Sequence, residues 1–449
     1  MTQIEGIYIA YEQAVMSTNK LLVPVFASEE IEELLISSKK IFHDESILLH
    51  LEGEFIIVGD LHGHLFDLYR ILKTHGFPPN QKYIFLGDLI DRGEFSLATV
   101  TLIFVMKCKY PENVYVIRGN HEFSNICENS GFKSEISYFY DNHLEDIPKL
   151  SHFVPPLLTN QENHKLELFP SNCSPNSPTN ISKSKTLTTE IKLDLPSPNS
   201  IDTQKIFDLF IDAFSELPLA IHLKNPNGDI FCVHGGIGPK FQHISQMDRI
   251  VKPIYSVYGG IADEILWSDP SDEILTFCPS KRGIGHHYGH EATKQFLDRN
   301  NLRILIRGHQ SILDGCEYSI NGLVLTIFSA SNYCNQINSK SGICIVKNDK
   351  IEEIVIFEPQ KFIMREEATF MPSISRQKEI DTKRNKEKNE LKYHESKPLF
   401  NLENASFNMR KSTPNFTEKK QLSKGKPVIN NAVNLTPKKV TRQKRIMIG

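Results

Sequence analysis

Strand-like runs that stop at a glycine beside Asp, Asn or His recur along this chain, and that recurrence limits what it can fold into. Phe55–Val58 is a short apolar run that gives way to Gly59-Asp60-Leu61-His62-Gly63. A run of that length bounded by glycine predicts a buried strand. It leaves a carboxylate and an imidazole just past the strand's C-terminal edge, where open α/β sheets build their sites. Asp with His suits a borderline divalent cation, and the glycines permit the tight path that turns both side chains inward.

The signature repeats. Tyr83–Leu86 predicts a second strand ending at Gly87-Asp88, and Val114–Ile117 a third ending at Arg118-Gly119-Asn120-His121-Glu122. The segments between them, Leu65–Lys73 and Ser96–Lys107, carry helical spacing, so the succession predicts a mainly parallel sheet with helices against it. Further on, Ile230–Val233 ends at His234-Gly235-Gly236 and Leu302–Ile306 at Arg307-Gly308-His309. Leu323–Phe328 leads into Ser329–Cys334, and Gly342–Val346 and Ile351–Phe357 read as closing strands. That is more strand than one parallel sheet needs. The expected fold class is α/β, with a two-sheet β-sandwich core flanked by helices. Ser28–Phe42 predicts an amphipathic helix with Ser28 as its N-cap, and Met1–Leu22 carries no usable motif.

Collected at the strand ends, Asp60, His62, Asp88, Asn120, His234 and His309 form an N/O donor set without thiolate. It is rich enough for two adjacent divalent metals, with a carboxylate such as Asp88 able to bridge. Two such metals suit attack on phosphorus by a hydroxide made available at neutral pH. Phosphoryl oxygens need fixed positive charge, which guanidinium supplies bidentately. Arg92 and Arg118 lie beside the donors in sequence, and Arg282 is a later candidate. His121 is a natural general acid for a leaving alkoxide if a carboxylate keeps it charged, and Asp91 is the nearest one in the motif.

The ordered motifs GDLHG (59–63), GDLIDRG (87–93), RGNHE (118–122), HGG (234–236), RGH (307–309) and SASNYC (329–334) closely resemble the PPP family of serine/threonine protein phosphatases. The phrases GFPP, KYPEN, LPLA and LWSDP do so as well. The resemblance implies the metallophosphoesterase fold. It implies that Asp60, His62 and Asp88 hold one metal and that Asp88, Asn120, His234 and His309 hold the second, the metals being manganese, iron or zinc. It also implies phosphate binding by Arg92, Asn120 and Arg282, a cleft lined by Tyr333, and protonation of the leaving serine or threonine oxygen by His121 with Asp91 behind it. Phosphoproteins would be the substrates. The chain departs from the family pattern at His64, where Gln is usual, at Phe123-Ser124 in place of Cys-Ala, and at Ser331 in place of Pro. None of these removes a ligand.

Competing readings are a metallophosphoesterase acting on nucleotides or nucleic acid, and a non-catalytic scaffold. The SASNYC and LWSDP phrases and the Asp91-Arg92 pair argue against the first, and the intact donor set argues against the second. The formal net charge of -3 argues against a nucleic-acid binder acting through overall charge. Eight scattered cysteines without a CxxC pair point to neither a zinc ribbon nor a redox motif. With no secretory leader and no apolar run long enough for a membrane span, the expectation is a cytoplasmic or nuclear protein. Residues 1–27 are expected to be an N-terminal extension and 28–360 the catalytic domain. Residues 158–203, rich in Ser, Asn, Pro and Thr, are expected to be a disordered loop inserted into it. A basic disordered tail is expected over 361–449. Insert and tail are candidate docking segments for regulatory subunits.

Overall fold

Phe55–Val58 is buried along its whole length, as a strand covered on both faces must be, and it lies at the centre of a five-stranded sheet. The order is Lys350–Phe357, Ser341–Lys347, Phe55–Val58, Tyr83–Phe85, Val114–Val116. The last three strands run parallel, and Ser341–Lys347 lies antiparallel beside Phe55–Val58. A second sheet of six strands has the order Cys316–Ser319, Val324–Ile327, Leu302–Arg307, Asp229–Val233, Ala220–Lys224, Leu48–Glu52. The computed structural model describes residues 2–18, 21–140, 203–335, 338–348, 350–382 and 385, all within the unit Met1–Asn389.

Alternation along the strands sorts the core into three layers. Phe55, Ile57, Ile84, Leu86 and Ile117 meet Ile221, Ile230, Cys232, Ile306, Leu325 and Ile327 between the two sheets. Ile56, Val58, Tyr83, Phe85, Val114 and Val116 point the other way, into a helical layer. That layer contains Ser96–Lys109, buried on all sides from Ser96 to Lys107, as a helix apolar all round must be. On the outer face of the six-stranded sheet, Phe231, Val233 and Leu305 pack with Ile265, Leu266, Phe296 and Leu297 from the helices Ile261–Trp267 and His290–Arg299. The expected two-sheet core flanked by helices is the fold observed.

The two sheets touch at the edge that matters. Asp60 and Phe328 form an isolated parallel bridge. Beside it, Gly59 donates its N–H to Ser329 Oγ at 2.8 Å. A Cβ on Gly59 would overlap the Ile327 carbonyl, so only glycine permits this approach. The parallel strands of both sheets therefore deliver their C-terminal ends to one place.

Several local expectations need correction. The helix Ser28–Asp44 is capped at Ala27, whose N–H donates to Glu30 Oε2 at 2.7 Å. The Ser28 hydroxyl is taken up by Glu379 Oε1 at 3.2 Å. The motif-free N-terminus is a helix, Gln3–Met16, that buries Ile7, Tyr8, Tyr11, Ala14 and Val15 on one face. A tail beginning at residue 361 starts too early. Thr369–Pro372 pairs in parallel with Leu22–Val25, and a helix follows over 374–382. The insert at 158–203, apart from Thr203, which opens the helix Thr203–Ser215, lies outside the described residues, as do the later parts of the tail.

Candidate metal centre and active site

Every donor foreseen at a strand end is at the shared edge. Asp60 and His62 follow Phe55–Val58, Asp88 follows Tyr83–Phe85, and Asn120 follows Val114–Val116. His234 follows Asp229–Val233, and His309 follows Leu302–Arg307. All six are buried. The turns that place them are tight: His62, Asp88, Asp91, Arg92 and His309 all have left-handed backbone, with φ between 43° and 70°. For side chains other than glycine each such residue stores about 1–3 kcal/mol of strain, which persists where the surrounding structure enforces it.

Asp88 is the hub. Its Oδ2 lies 3.5 Å from His62 Nε2 and 3.3 Å from His234 Nε2. Its Oδ1 accepts the His121 N–H at 2.9 Å. Two clusters of donor atoms share it: Asp88 with His62 and His121, and Asp88 with His234 and His309. Asn120 Oδ1 is 3.0 Å from His234 Nε2. Asp60 stands slightly apart from the tighter clusters, 3.9 Å from His62 Nε2, with both carboxylate oxygens accepting the His309 N–H at 3.0 and 3.1 Å.

The donor set fits divalent metal. His62 Nδ1 sits 2.8 Å from the Ile90 carbonyl and His234 Nδ1 2.8 Å from the Leu86 carbonyl. Those carbonyls take the Nδ1 protons and leave Nε2 facing Asp88, the arrangement by which metal-binding imidazoles are oriented. His309 Nε2 is buried without a hydrogen-bond partner. Burial foremost holds His62 and His309 well below the ordinary histidine value, so both are neutral and free to ligate. Burial pushes Asp60 up to about 7. At Asp88 burial acts the same way, but His234, His121 and His62 outweigh it and hold the carboxyl well below its usual range. His234 is pushed up to about 9 because Asp88 and Asp60 overcome its burial. The carboxylates demand a positive charge among them, and here the His234 proton supplies it.

His121 lies beside this centre. Its Nδ1 is 2.7 Å from Asp91 Oδ2, while Asp91 Oδ1 accepts the Phe132 N–H at 3.0 Å. Burial opposes a charge on this imidazole, but Asp88 and Asp91 prevail and raise its pKa. Asp91 thus orients the imidazole, and with Asp88 it favours the charged form. Arg92 is half-buried next to it, and its guanidinium is engaged in no hydrogen bond or ion pair among the described residues. Tyr333 packs against His62, with ring centroids 5.4 Å apart.

Arg118 is corrected. It is fully buried, its guanidinium donates to the Glu122 and Ile254 carbonyls, and it lies 3.4 Å over the Phe123 ring. It supports the fold and offers nothing to a phosphate. Arg282 is held by Asp269, Nε to Oδ2 at 2.8 Å. The same carboxylate binds Arg307 at 2.9 Å and stands 3.9 Å from His309 Nε2. His64 faces neither solvent nor the donors: it is buried, its Nδ1 at the Leu61 and His62 carbonyls, 3.1 and 3.0 Å away, and its ring against Tyr333 and Phe362.

Two supports escaped sequence reasoning. Glu122 accepts three backbone N–H groups, from Asp88 at 3.0 Å, Leu89 at 2.8 Å and Gly119 at 2.8 Å, and so ties two strand ends together. Asp269 is the other. Each lies within a quoted phrase, RGNHE or LWSDP, but a lone carboxylate in a motif does not announce that its acceptors are spent on backbone.

A buried two-cluster centre sharing one carboxylate, at the meeting edge of a two-sheet core, defines a metallophosphoesterase. A sequence model of the calcineurin-like phosphoesterase family matches residues 53–312, more than half of the chain, and the chain belongs to that family. Its fold is similar to that of a protein serine/threonine phosphatase from Saccharomyces cerevisiae with similarity to human phosphatase PP5. The TM-score is 0.56 and the identity 23%, over 75% of this chain and 91% of that one. A cold-active protein-tyrosine phosphatase of a psychrophilic Shewanella species aligns at a TM-score of 0.36 and 9% identity, over 71% of this chain and 84% of that one, too loosely to bear on function.

Proposed function

We propose that this phosphoesterase is a serine/threonine protein phosphatase. The observation that carries the reading is the Asp91–His121 pair beside Asp88. A serine or threonine alkoxide is a poor leaving group and needs a proton as the P–O bond breaks. A nucleoside phosphate leaves without one. A buried imidazole kept charged by a carboxylate is the group that the alkoxide requires. The motif resemblance from GDLHG to SASNYC supports the same assignment, as does the likeness in fold to the yeast enzyme.

In this reading Asp60, His62 and Asp88 hold one divalent metal, and Asp88, Asn120, His234 and His309 the other. When bound, the metals supply a nucleophilic water at neutral pH and draw charge from the phosphoryl oxygens. The protein's own part is distinct. Arg92, Asn120 and Arg282 orient the phosphate, Tyr333 lines the approach, and His121 Nε2 gives its proton to the leaving oxygen while Asp91 stabilises the imidazolium. A cytoplasmic or nuclear location belongs to the same reading.

Hydrolysis of phosphoserine and phosphothreonine peptides, a dinucleoside polyphosphate and single-stranded DNA should be compared side by side in manganese, iron or zinc. Turnover of the peptides, abolished by Asp88→Asn, is the expected result. Turnover of the polyphosphate or DNA with the peptides untouched would overturn the proposal.

A further inference from the structure

Beyond Lys350–Phe357, the edge strand of the five-stranded sheet, the chain runs back across the face of the domain. The Glu358 carbonyl accepts from Arg70 at 2.7 Å, and Gln360 donates to Asp67 at 3.0 Å. Arg365 then reaches the loop that carries Asp91 and Arg92. Its Nε donates to the Glu94 carbonyl at 2.7 Å and lies 3.4 Å from the Glu94 carboxylate. Its NH2 is 3.9 Å from Glu135 Oε2, and its guanidinium covers the Tyr138 ring at 4.9 Å.

Glu135 is buried, and its carboxylate accepts the N–H groups of Ser96 at 2.9 Å and Leu97 at 3.0 Å. Ser96 Oγ in turn accepts the Asp91 N–H at 3.0 Å. From Arg365, an unbroken set of contacts thus leads through Glu94 and Glu135 to Ser96, then to Asp91 and His121. Arg365 also stands beside two carboxylates, Glu94 and Glu135, and its charge favours the ionised form of each against their burial. It lies outside residues 53–312, the span matched to the family.

We propose that Arg365 is a positioning residue for the reaction: it fixes the 91–96 loop so that Asp91 holds His121 toward the leaving oxygen. The inference rests on His121 acting as the general acid. It assigns to the segment between Lys350–Phe357 and Thr369–Pro372 a share in catalysis that no motif in the chain reveals.

The test uses the full chain with Arg365→Ala and Arg365→Lys. Turnover is measured on a phosphoserine peptide, on β-glycerol phosphate and on p-nitrophenyl phosphate, alongside thermal unfolding. The first two release alkoxides, and the third releases a phenolate that leaves without a proton. We expect Arg365→Ala to lower kcat on both alkyl esters by about tenfold or more, with p-nitrophenyl phosphate affected less than about threefold. Arg365→Lys, which keeps the charge, should recover part of the loss. An equal fall on alkyl and aryl esters would overturn the proposal, and so would no change on any of them. If Arg365→Ala does not fold, the same alkyl-to-aryl contrast in Arg365→Lys decides. A wild-type enzyme that cleaves β-glycerol phosphate but not the peptide counts against protein specificity, while the contrast still reports on Arg365.

Discussion

Glu122→Gln separates the stability of the domain from the placement of its shared carboxylate. Glu122 Oε2 takes the Asp88 and Gly119 N–H groups and Oε1 takes that of Leu89. With its carbonyl at the Oε2 position, glutamine keeps two of these bonds and sets an NH2 against the Leu89 N–H. A hydrogen bond to a charged group is worth about 1.5–3 kcal/mol, and that much is lost. In return a buried charge disappears. Burial raises this carboxyl from 4.5 to about 6, so its ionisation at neutral pH costs about 2 kcal/mol that glutamine does not carry. The two effects nearly cancel, and folding stability should change by less than about 1.5 kcal/mol. Metal affinity should not be spared, because the anchored Asp88 N–H and the charge behind it fix the shared ligand. Loss of such a supporting partner weakens metal binding by about 10–100-fold. Urea unfolding of the metal-free protein gives the first quantity, and competition titration against a chelator the second. Metal affinity within about twofold of wild type, or a large loss of stability with affinity intact, would refute the reasoning.

Other perturbations follow from the same contacts. Asp91→Asn should cut phosphoserine hydrolysis by about 10²–10⁴-fold. Because Asp91 helps to raise the His121 pKa, the variant should also lose activity at lower pH than wild type on the alkaline side of the kcat profile. Burial pushes Glu135 from 4.5 up to about 7. The folded state therefore holds that proton more tightly than the unfolded one, and the contribution to stability falls as pH rises between about 4.5 and about 7. Relative to Glu135→Gln, wild type should lose about 3 kcal/mol across that window in urea titrations at a series of pH values. Parallel curves would count against it. Gly59→Ala should destabilise by about 1–3 kcal/mol, because backbone on both sides of the bridge must shift. An unchanged urea midpoint would disprove the close approach.

The strand ends were legible because chemistry and periodicity coincide there. An apolar run, a glycine and a ligand-type residue each carry a local signal, and five occurrences of it predicted both the sheet edge and the donors gathered at it. Arg118 shows where such reasoning fails. Two residues before Asn120 in sequence, it suggested a phosphate anchor, but its guanidinium turns inward to satisfy backbone carbonyls. Sequence distance cannot report which way a long side chain points. Glu122, Asp269 and Glu135 were missed for a related reason: their function is to accept hydrogen bonds from particular N–H groups, and those partners are set by tertiary structure alone. Gln3–Met16 was a different kind of miss. Its buried positions, Ile7, Tyr8, Tyr11, Ala14 and Val15, do follow helical spacing, and the Thr2 hydroxyl caps it. The absence of a chemical motif drew attention away from a plain structural signal.

The pairing of Leu22–Val25 with Thr369–Pro372 bears on how the domain comes into being. These strands come from opposite ends of the described chain, so their ladder closes only after nearly all of the intervening residues have been synthesised. Until then Leu22–Val25 offers an unpaired edge, in a protein whose sheets already depend on distant partners such as Phe55–Val58 and Ser341–Lys347. Contacts of such long range slow folding and lengthen the exposure of sticky edges. A chain ending just before residue 369 would carry every candidate metal donor and all the strands of the five- and six-stranded sheets, and still lack the partner of Leu22–Val25.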